Sequence, residues 1–382
     1  MKTNILFIGS HPPKKLIKEK NIDSLYRCSE TIIAELRSRK DVNLSVITSP
    51  DILSFPKKDM WFPSFRDDDG TMMVSSLNLP IIKQIWTIIS MTITSIRILS
   101  RSNENTVVMI PYMVFRHVAV SRLLKLFFPK KVKVCIIVPD IYFPNSIVQK
   151  SLNRWAEKLA VKGDYFVLYT KAMSEYLDIN NCLQVVIEGF CDIPLDVNPK
   201  KKDISSLIIT YAGSLNVRYG ISRLLEAFSK LELSDVQLHL YGAGDAEALI
   251  REYEKNDSRI RFFGRVSKDE VSDVLNESDI LVNPRGPKDG EYVEYSFPSK
   301  DIEYLGTGRP CVFCKLPGMP IEYYPFFVDG GDGSVERLYE ALLKCINMTL
   351  DERNDLGTRA HAFITQRMDT KDQVQRILSL FR

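Results

Sequence analysis

The apolar residues of this 382-residue chain fall into short continuous runs that alternate with segments of helical spacing. Ile5–Ile8 is the first run, and a segment with apolar positions at Ile32, Ile33 and Leu36 separates it from a second run at Val42–Ile47. Parallel strands covered by helices on both faces produce this pattern, because such strands are buried throughout. The pattern therefore predicts an α/β fold built from βαβ units.

Chain length and one polar segment divide the pattern into two domains. The chain is long enough for two domains of ordinary size, and 45% hydrophobic and 26% charged residues are usual for a globular protein. A Pro- and Lys-rich stretch at 194–202 predicts a linker. We therefore expect one domain at 1–193 and another at 203–362.

The apolar segment Pro80–Ser100 is interrupted by Lys83 and Arg97. These charges leave an uncharged run of about a dozen residues, against the roughly 20 that a membrane span requires. Its apolar positions form one helical stripe, which predicts an amphipathic helix with that stripe in the core. The stripe consists of Ile81, Ile82, Ile85, Ile88, Ile89, Thr92 and Ile96. The N-terminus has no signal-sequence pattern, so we expect a cytoplasmic protein.

Residues 283–314 carry the most informative candidate chemistry. An apolar strand and a long loop precede Phe297-Pro-Ser-Lys, which opens a short helix with Ser299 as its expected cap. Open α/β sheets bind ligands at such a carboxyl edge. The helix amides and Lys300 suit an anion, and Glu303 lies about one turn further on. A phosphate site followed by a hydroxyl acceptor is the arrangement that a nucleotide sugar requires.

Ser296-Phe-Pro-Ser-Lys-Asp-Ile-Glu-Tyr-Leu-Gly-Thr-Gly-Arg-Pro310 resembles the donor-site signature of GT-B glycosyltransferases, especially the retaining family 4, in the branch with a Phe-Pro-Ser-Lys motif. The resemblance covers most of residues 205–345 with specific motifs, and the N-terminal half only by pattern. It implies two Rossmann-like parallel-sheet domains that face each other across a cleft. It also implies a terminal helix, 363–382, that packs back on the first domain.

The resemblance assigns roles to several residues of the second domain. Glu303 matches the glutamate that typically holds the ribose hydroxyls, and the loop with Gly264 and Val266 matches the one that holds the base by backbone contacts. Tyr295 stands where the family has its first glutamate, with Glu294 just upstream. This departure leaves the recognition of the donor sugar's hydroxyls open.

A second anion site is predicted after the strand that ends at Gly213, a residue that lets backbone approach a phosphate. The stretch resembles the family's glycine and basic-residue motif, except that Ser214 and Tyr219 replace the usual arginine and lysine. The positive charge at the pyrophosphate must therefore come from Arg218, Lys300 or Arg285.

Asp140 follows the strongly apolar strand Val134–Val138 in the first half of the chain. Many family members have a histidine or a His-Asp pair there, facing the sugar. A carboxylate at this place could orient an acceptor hydroxyl or support positive charge at the anomeric carbon. A turn-forming aspartate that caps the next element is the alternative.

The two halves of the chain differ in charge. Residues 1–195 contain 26 Lys and Arg against 18 Asp and Glu, a net +8, and the remainder contains 25 against 30, a net −5. Positive charge in the first half favours an anionic partner such as a phospholipid or a lipid-linked pyrophosphate. The segment Arg122–Lys133 mixes apolar and basic residues as interfacial helices do, although Leu124 and Phe127 could simply pack on the sheet.

Other function classes find little support in the sequence. The four histidines lack metal-ligand spacing, and no P-loop, nucleophile elbow or nucleic-acid module occurs. We therefore expect a glycosyltransferase, without metal or cofactor, that moves a sugar from a nucleotide diphosphate, UDP rather than GDP, to a cell-surface polysaccharide or glycolipid acceptor. Asp140, Arg218 and Lys300 are the expected catalytic residues. A UDP-sugar 2-epimerase of the same fold and a catalytically silent subunit that binds a partner enzyme are the alternatives.

Overall fold

The computed structural model describes residues 2–10, 27–49, 54–80, 82–143, 146–190 and 206–382. They form two compact units, of which the first comprises the described residues up to 190 together with 370–382, and the second comprises 206–369. Each unit is a mainly parallel sheet with helices, so the predicted α/β class is confirmed. The linker expected at 194–202 lies outside the described residues.

The first unit is organised around a sheet of eight strands, six of them long enough to form its parallel core. Its elements are β1 (Thr3–Gly9), α1 (Arg27–Ser38), β2 (Val42–Thr48), β3 (Trp61–Phe62), β4 (Phe65–Arg66), β5 (Met72–Met73), β6 (Ser76–Leu77), α2 (Ile82–Leu99), β7 (Thr106–Pro111), α3 (Phe115–Phe127), β8 (Val132–Val138), α4 (Ile147–Ala160), β9 (Tyr165–Leu168), α5 (Ala172–Tyr176) and β10 (Leu183–Val186). The strand order is β10-β9-β8-β7-β1-β2-β5-β4, and β3 pairs with β6 separately. Every residue of β7 is buried, as expected of a strand covered on both faces.

The second unit has a six-stranded, entirely parallel sheet. Its elements are β11 (Leu207–Ser214), α6 (Ile221–Ser229), β12 (Val236–Ala243), α7 (Glu247–Asn256), β13 (Ile260–Gly264), α8 (Lys268–Glu277), β14 (Ile280–Asn283), α9 (Ser299–Gly306), β15 (Cys311–Phe313), β16 (Val328–Asp329), α10 (Val335–Ile346) and α11 (Leu350–Arg367). The strand order is β13-β12-β11-β14-β15-β16. The chain runs outward from β11 to β13 and then returns to the other side of β11. A topological switch point, where such sheets bind ligands, therefore lies between β11 and β14.

The last helix, α12 (Thr370–Ser379), belongs to the first unit. Val374 and Ile377 are fully buried in one cluster with Ile32 and Leu36 of α1. The preceding α11 instead packs against α9 in the second unit. The segment that returns to the first unit thus begins at Thr370, seven positions later than the sequence suggested.

The helix expected between residues 80 and 100 is present as α2, but its buried side is rotated away from much of the predicted stripe. Ile82, Ile85 and Ile89 are 45%, 57% and 48% exposed, whereas Thr87 and Ser95 are buried. Small polar side chains allow close packing against β6 and α3, which α2 contacts. The prediction is therefore wrong for Ile82, Ile85 and Ile89, whereas Thr92 of the same stripe is buried and Ile88 and Ile96 are half-buried. Among the helices that the structure describes, none has the length and apolar character to cross a bilayer.

Candidate functional site

The candidate site lies at the carboxyl edge of the second sheet, beside its switch point. Gly213 at the end of β11 pairs with Gly242 of β12. A Cβ on Gly242 would lie 1.8 Å from the carbonyl oxygen of Gly213, so no side chain fits there. The two strands consequently pack backbone against backbone near their carboxyl ends.

Lys300, in the first turn of α9, reaches onto this backbone. Its Nζ lies 4.0 Å from the ring centroid of Tyr211. A Cβ on Gly213 would lie 1.6 Å from the same nitrogen. The space that the glycine leaves is therefore the space that the lysine occupies, which relates two motifs that are far apart in the sequence.

The surroundings of Lys300 make its ammonium group responsive to an anion. Burial, reinforced by the guanidinium of Arg285, lowers the pKa of Lys300 to about 7, while Glu303 and Asp301 oppose the shift. An entering phosphate would favour the charged form and raise the pKa again. A negative ligand thus stabilises the charged form of Lys300 more than it would stabilise that of a solvated lysine.

Two arginines extend the positive charge around a pair of tyrosines. The guanidinium carbon of Arg285 lies 4.3 Å from the ring centroid of Tyr219 and 5.3 Å from that of Tyr292. Arg218 lies 4.7 and 5.9 Å from the same two rings and donates a 2.6 Å hydrogen bond to the Tyr219 hydroxyl. We call Arg218, Arg285 and Lys300 the cationic cluster.

Two polar atoms beside the cationic cluster retain hydrogen-bonding capacity. Within the part of the chain that the structure describes, the buried Nε of Arg285 and the buried hydroxyl of Tyr292 have no hydrogen-bond partner. Buried polar atoms are ordinarily satisfied, so two such atoms side by side are typical of a binding site. Both can donate to an oxygen-rich ligand.

The loop that carries Arg285 is held by an ion pair that the sequence did not reveal. Arg223 of α6 donates to both carboxylate oxygens of Asp289, at 2.8 and 2.7 Å, and to the carbonyl oxygen of Gly333 at 2.6 Å. Asp289 also accepts a 2.8 Å hydrogen bond from the amide of Gly286. These contacts join three segments and so position Arg285.

A second buried network holds the start of α9. Asn283 donates a 2.6 Å hydrogen bond to Asp301. The hydroxyl of Tyr304 accepts from the amide of Ala212 at 2.7 Å and donates to its carbonyl oxygen at 3.1 Å. Burial raises the pKa of Asp301 to about 6, which leaves the carboxylate mostly charged at neutral pH. The network connects α9 to the ends of β11 and β14, and thereby steadies Lys300.

The remaining predicted residues of this region lie around α9. Glu303 follows Lys300 by one turn and is near enough to raise its pKa. Ser299 is exposed and already helical, while Pro298, with ψ of 121°, takes the cap position without a side-chain hydrogen bond. The expectation that Ser299 caps α9 is therefore wrong, because the extended backbone ends one residue earlier. The upstream glutamates lie in the exposed turn Glu291–Glu294.

Gly264 and Val266 lie at the other end of this edge, separated from the cationic cluster by β12. Gly264 has φ of +70° and pairs with Tyr241. The rings of Tyr241 and Phe263 stack with centroids 4.5 Å apart, and His239 lies 5.0 Å from Phe263. Sequence reasoning missed these three rings, although the alternate spacing of His239 and Tyr241 on one strand was a usable signal.

The structure places the predicted residues in two groups. Asp140 is exposed at the carboxyl end of β8 in the first unit, and its carboxylate accepts a 2.9 Å hydrogen bond from the Ile141 amide. The second unit brings together Gly213, Ser214, Arg218, Arg285, Lys300 and Glu303.

The sequence of the second unit matches a known family model. Residues 206–348 match the family described as Glycosyl transferases group 1. The match includes β11, the cationic cluster and α9, and covers less than half of the chain. A comparison with proteins of curated function gave no match.

Solved structures match both units. Anabaena Alr3699/HepE in complex with UDP has a TM-score of 0.68 and 16% identity, over 100% of this chain and 99% of that chain. Sucrose-phosphate synthase from Thermosynechococcus elongatus has a TM-score of 0.67 and 14% identity, over 100% of this chain and 98% of that chain. A glycosyltransferase from Rickettsia africae ESF-5 has a TM-score of 0.69 and 14% identity, over 100% of this chain and 98% of that chain. The chain has the GT-B fold.

The fold comparison confirms the two Rossmann-like domains that the sequence predicted. It assigns no roles to residues at these low identities. The chemical capacity of the site follows from its own geometry, which combines three cations and unsatisfied donors at one sheet edge. Such an edge suits a ligand with several phosphate oxygens.

Proposed function

We propose that this protein is a glycosyltransferase that moves a sugar from a nucleotide diphosphate donor, with UDP favoured, to a saccharide or lipid-linked saccharide acceptor. The observation that carries the proposal is the convergence of Arg218, Arg285 and Lys300 beside the switch point of the second sheet. The family match over 206–348 supports the reaction class, and the UDP complex of the similar HepE structure supports the donor class.

The cationic cluster supplies what this reaction needs. Departure of a nucleotide diphosphate leaves negative charge on the pyrophosphate. Positive groups in a partly buried site stabilise that charge more strongly than they would in water, because the local dielectric is lower. Protonated Lys300 donates to phosphate oxygens, and the first amides of α9 add their partial positive charge.

The other candidate residues orient the two substrates in this proposal. Glu303 accepts hydrogen bonds from the ribose hydroxyls, and the backbone from Gly264 to Val266 holds the base. Asp140 orients the acceptor hydroxyl or supports positive charge at the anomeric carbon. Retention of anomeric configuration completes the proposal, with a cell-surface polysaccharide or glycolipid as the product at the inner face of the membrane.

Titration calorimetry with UDP, GDP and uridine tests the donor site. We expect UDP to bind more tightly than GDP. Uridine should bind at least about tenfold more weakly than UDP, because it lacks the phosphates that the cations contact. Incubation of each UDP-sugar with saccharide or lipid-linked acceptors, followed by mass spectrometry, then tests transfer. A product that carries the added sugar is the expected result.

A catalytically silent subunit is the second candidate, and the uncharged Ser214, Tyr219 and Tyr295 favour it. Failure to bind any nucleotide would support that candidate and overturn the enzyme proposal. Conversion of a UDP-sugar into an isomer without an acceptor would instead indicate an epimerase. These three outcomes are distinguishable in the same set of experiments.

A further inference from the structure

One helical layer of the first unit carries an extensive exposed apolar surface. The connections to β7, β8 and β9 all cross the sheet in one direction, so right-handed crossovers place α2, α3 and α4 on the same face. α3 contacts both of its neighbours. We call the exposed side of this layer the outer helix face. Its large exposed apolar side chains are Ile82, Ile85, Ile89, Ile93, Leu126, Phe127, Ile147, Val148, Leu152 and Trp155.

The orientation of α2 is what makes this surface unusual. A helix at a protein surface ordinarily buries its apolar residues, whereas α2 exposes Ile82, Ile85, Ile89 and Ile93 and buries small polar residues together with Met91 and Leu99. Exposed apolar patches of this extent mark interaction sites. The three tryptophans of the chain lie on or beside the face: Trp61 is 47% exposed, Trp86 contacts it edge-on with ring centroids 5.7 Å apart, and Trp155 is 60% exposed. Tryptophan is favoured at membrane–water boundaries.

The charges on these helices have nearly one sign. Glu157 is the sole acidic residue of α2, α3 and α4, each of which the structure describes in full. Eight residues are basic, of which Arg97, Lys150, Arg154 and Lys158 are exposed, Arg116, Arg122 and Lys125 are half-buried, and Lys83 is buried. Apolar positions beside cations fit an anionic lipid surface. They do not fit a second copy of the same face, because like charges would meet.

Two lysines of the segment Arg122–Lys133 are engaged within the protein, whereas Lys130 of that segment is exposed. Lys125 pairs with Asp164 at 2.9 Å, and Lys131 donates to two backbone carbonyl oxygens. These two lysines therefore stabilise the end of α3. On α4, by contrast, the three basic side chains recur at every fourth position and are exposed next to the apolar ones.

We propose that the outer helix face docks on an anionic lipid bilayer. The isoleucines of α2 and Trp155 enter the boundary between headgroups and acyl chains, while Lys150, Arg154 and Lys158 contact lipid phosphates. The face belongs to the first unit and the cationic cluster to the second. The proposal thus stands apart from nucleotide-sugar transfer, and nucleotide titration tests the latter separately.

Vesicle flotation of the full chain tests the docking. Vesicles of phosphatidylcholine alone are compared with vesicles that also contain phosphatidylglycerol. We expect flotation and a blue shift of tryptophan fluorescence only with the anionic vesicles, both weakened by salt because charge attraction is screened. Quenching of the wild-type fluorescence by brominated lipid measures insertion without any substitution.

Paired variants locate the surface. Ile85→Ser/Ile89→Ser and Lys150→Gln/Lys158→Gln should each lower vesicle partitioning by about tenfold or more, through lost apolar insertion and lost charge attraction. The matched controls lie on the second unit. They are Ile321→Ser, at a side chain 72% exposed, and Lys255→Gln/Lys344→Gln, at two exposed lysines.

Absence of flotation with anionic vesicles overturns the proposal, as does an equal loss in the control variants. A fluorescence shift that accompanies dimer formation in sedimentation velocity, without vesicles, assigns the face to a protein contact instead. If a variant of the outer helix face does not fold, the wild-type chain still decides the question. Quenching of its fluorescence by brominated lipid supports docking, and unquenched fluorescence overturns it.

Discussion

The two units share one architecture but expose different kinds of surface. Among the described residues, fifteen of the eighteen exposed large apolar side chains belong to the first unit, and only Val217, Phe263 and Ile321 belong to the second. The second unit instead concentrates cations and unsatisfied donors at one sheet edge. A single scaffold thus supports charge-based recognition in one unit and apolar contact in the other. The function of each unit has to be inferred from its own site, because both units have the same fold.

The sharpest test of this contrast is Lys300→Ala. Loss of the ammonium group should lower turnover about ten- to a hundredfold, equivalent to about 1.4–2.7 kcal/mol of barrier, because the leaving pyrophosphate loses a direct partner. Thermal stability should not fall, since the charged lysine is costly to bury. Steady-state kinetics and thermal melts measure both. The matched control is Lys58→Ala, at an exposed lysine of the first unit, and equal effects of the two substitutions would remove the contrast.

Glu303→Ala tests whether recognition in the second unit extends to the ribose. We expect nucleotide binding to weaken by about 1.5–3 kcal/mol, the range for hydrogen bonds to a charged group. Uridine and UDP should be affected alike, because the lost contacts are to the sugar. Calorimetry with both ligands measures this, with Glu322→Ala as an exposed control. Affinity within twofold of wild type would falsify the assignment.

The Arg223–Asp289 pair tests how the second unit holds its charged loop. Their side chains are 31% and 9% exposed, so solvent screens part of the interaction. We expect Asp289→Asn to lower the free energy of unfolding by about 1–2 kcal/mol, less than a fully buried pair would lose. Weaker UDP binding should accompany it, because Arg285 loses its support. Denaturant unfolding of Arg223→Met, Asp289→Asn and the double variant gives the interaction energy between the two side chains. If the two single-variant losses of unfolding free energy simply add in the double variant, the pair does not stabilise the fold.

The last test concerns pH dependence. The pKa of Lys300 is about 7 in the folded protein, against 10.5 for an ordinary solvated lysine. Between pH 7 and pH 10.5 the unfolded chain holds a proton on this lysine that the folded chain lacks, so the lysine makes the free energy of unfolding rise with pH across that range. Below pH 7 the cost of burying the charged lysine is fully present.

Anion binding should follow the opposite trend with pH. UDP favours protonated Lys300, so affinity should fall from pH 7 toward pH 9 by less than about tenfold per unit. Calorimetry at pH 8 in buffers of different ionisation enthalpy should detect proton uptake, and Lys300→Met should abolish it. Uptake that persists in this variant would show that another group titrates.

Much of the candidate site was accessible from local sequence. Continuous apolar runs predicted the parallel strands, because a strand covered on both faces has no polar side. The distance from Lys300 to Glu303 is set by helix geometry, so their proximity followed once the helix was recognised. Gly213 was identified as a point of backbone approach, and the structure adds that Lys300 fills the space it leaves.

Other features were decided only by tertiary structure. Arg223 and Asp289 are 66 positions apart, and no local rule pairs them. The isoleucine stripe of α2 was visible in the sequence, but its direction was not, because periodicity gives the width of an apolar face and packing partners decide which side is buried. The sequence by itself determined the elements, their order and the charged residues of the second unit. The tertiary structure decided which charges converge and which apolar residues stay exposed, since both depend on contacts between segments that are distant along the chain.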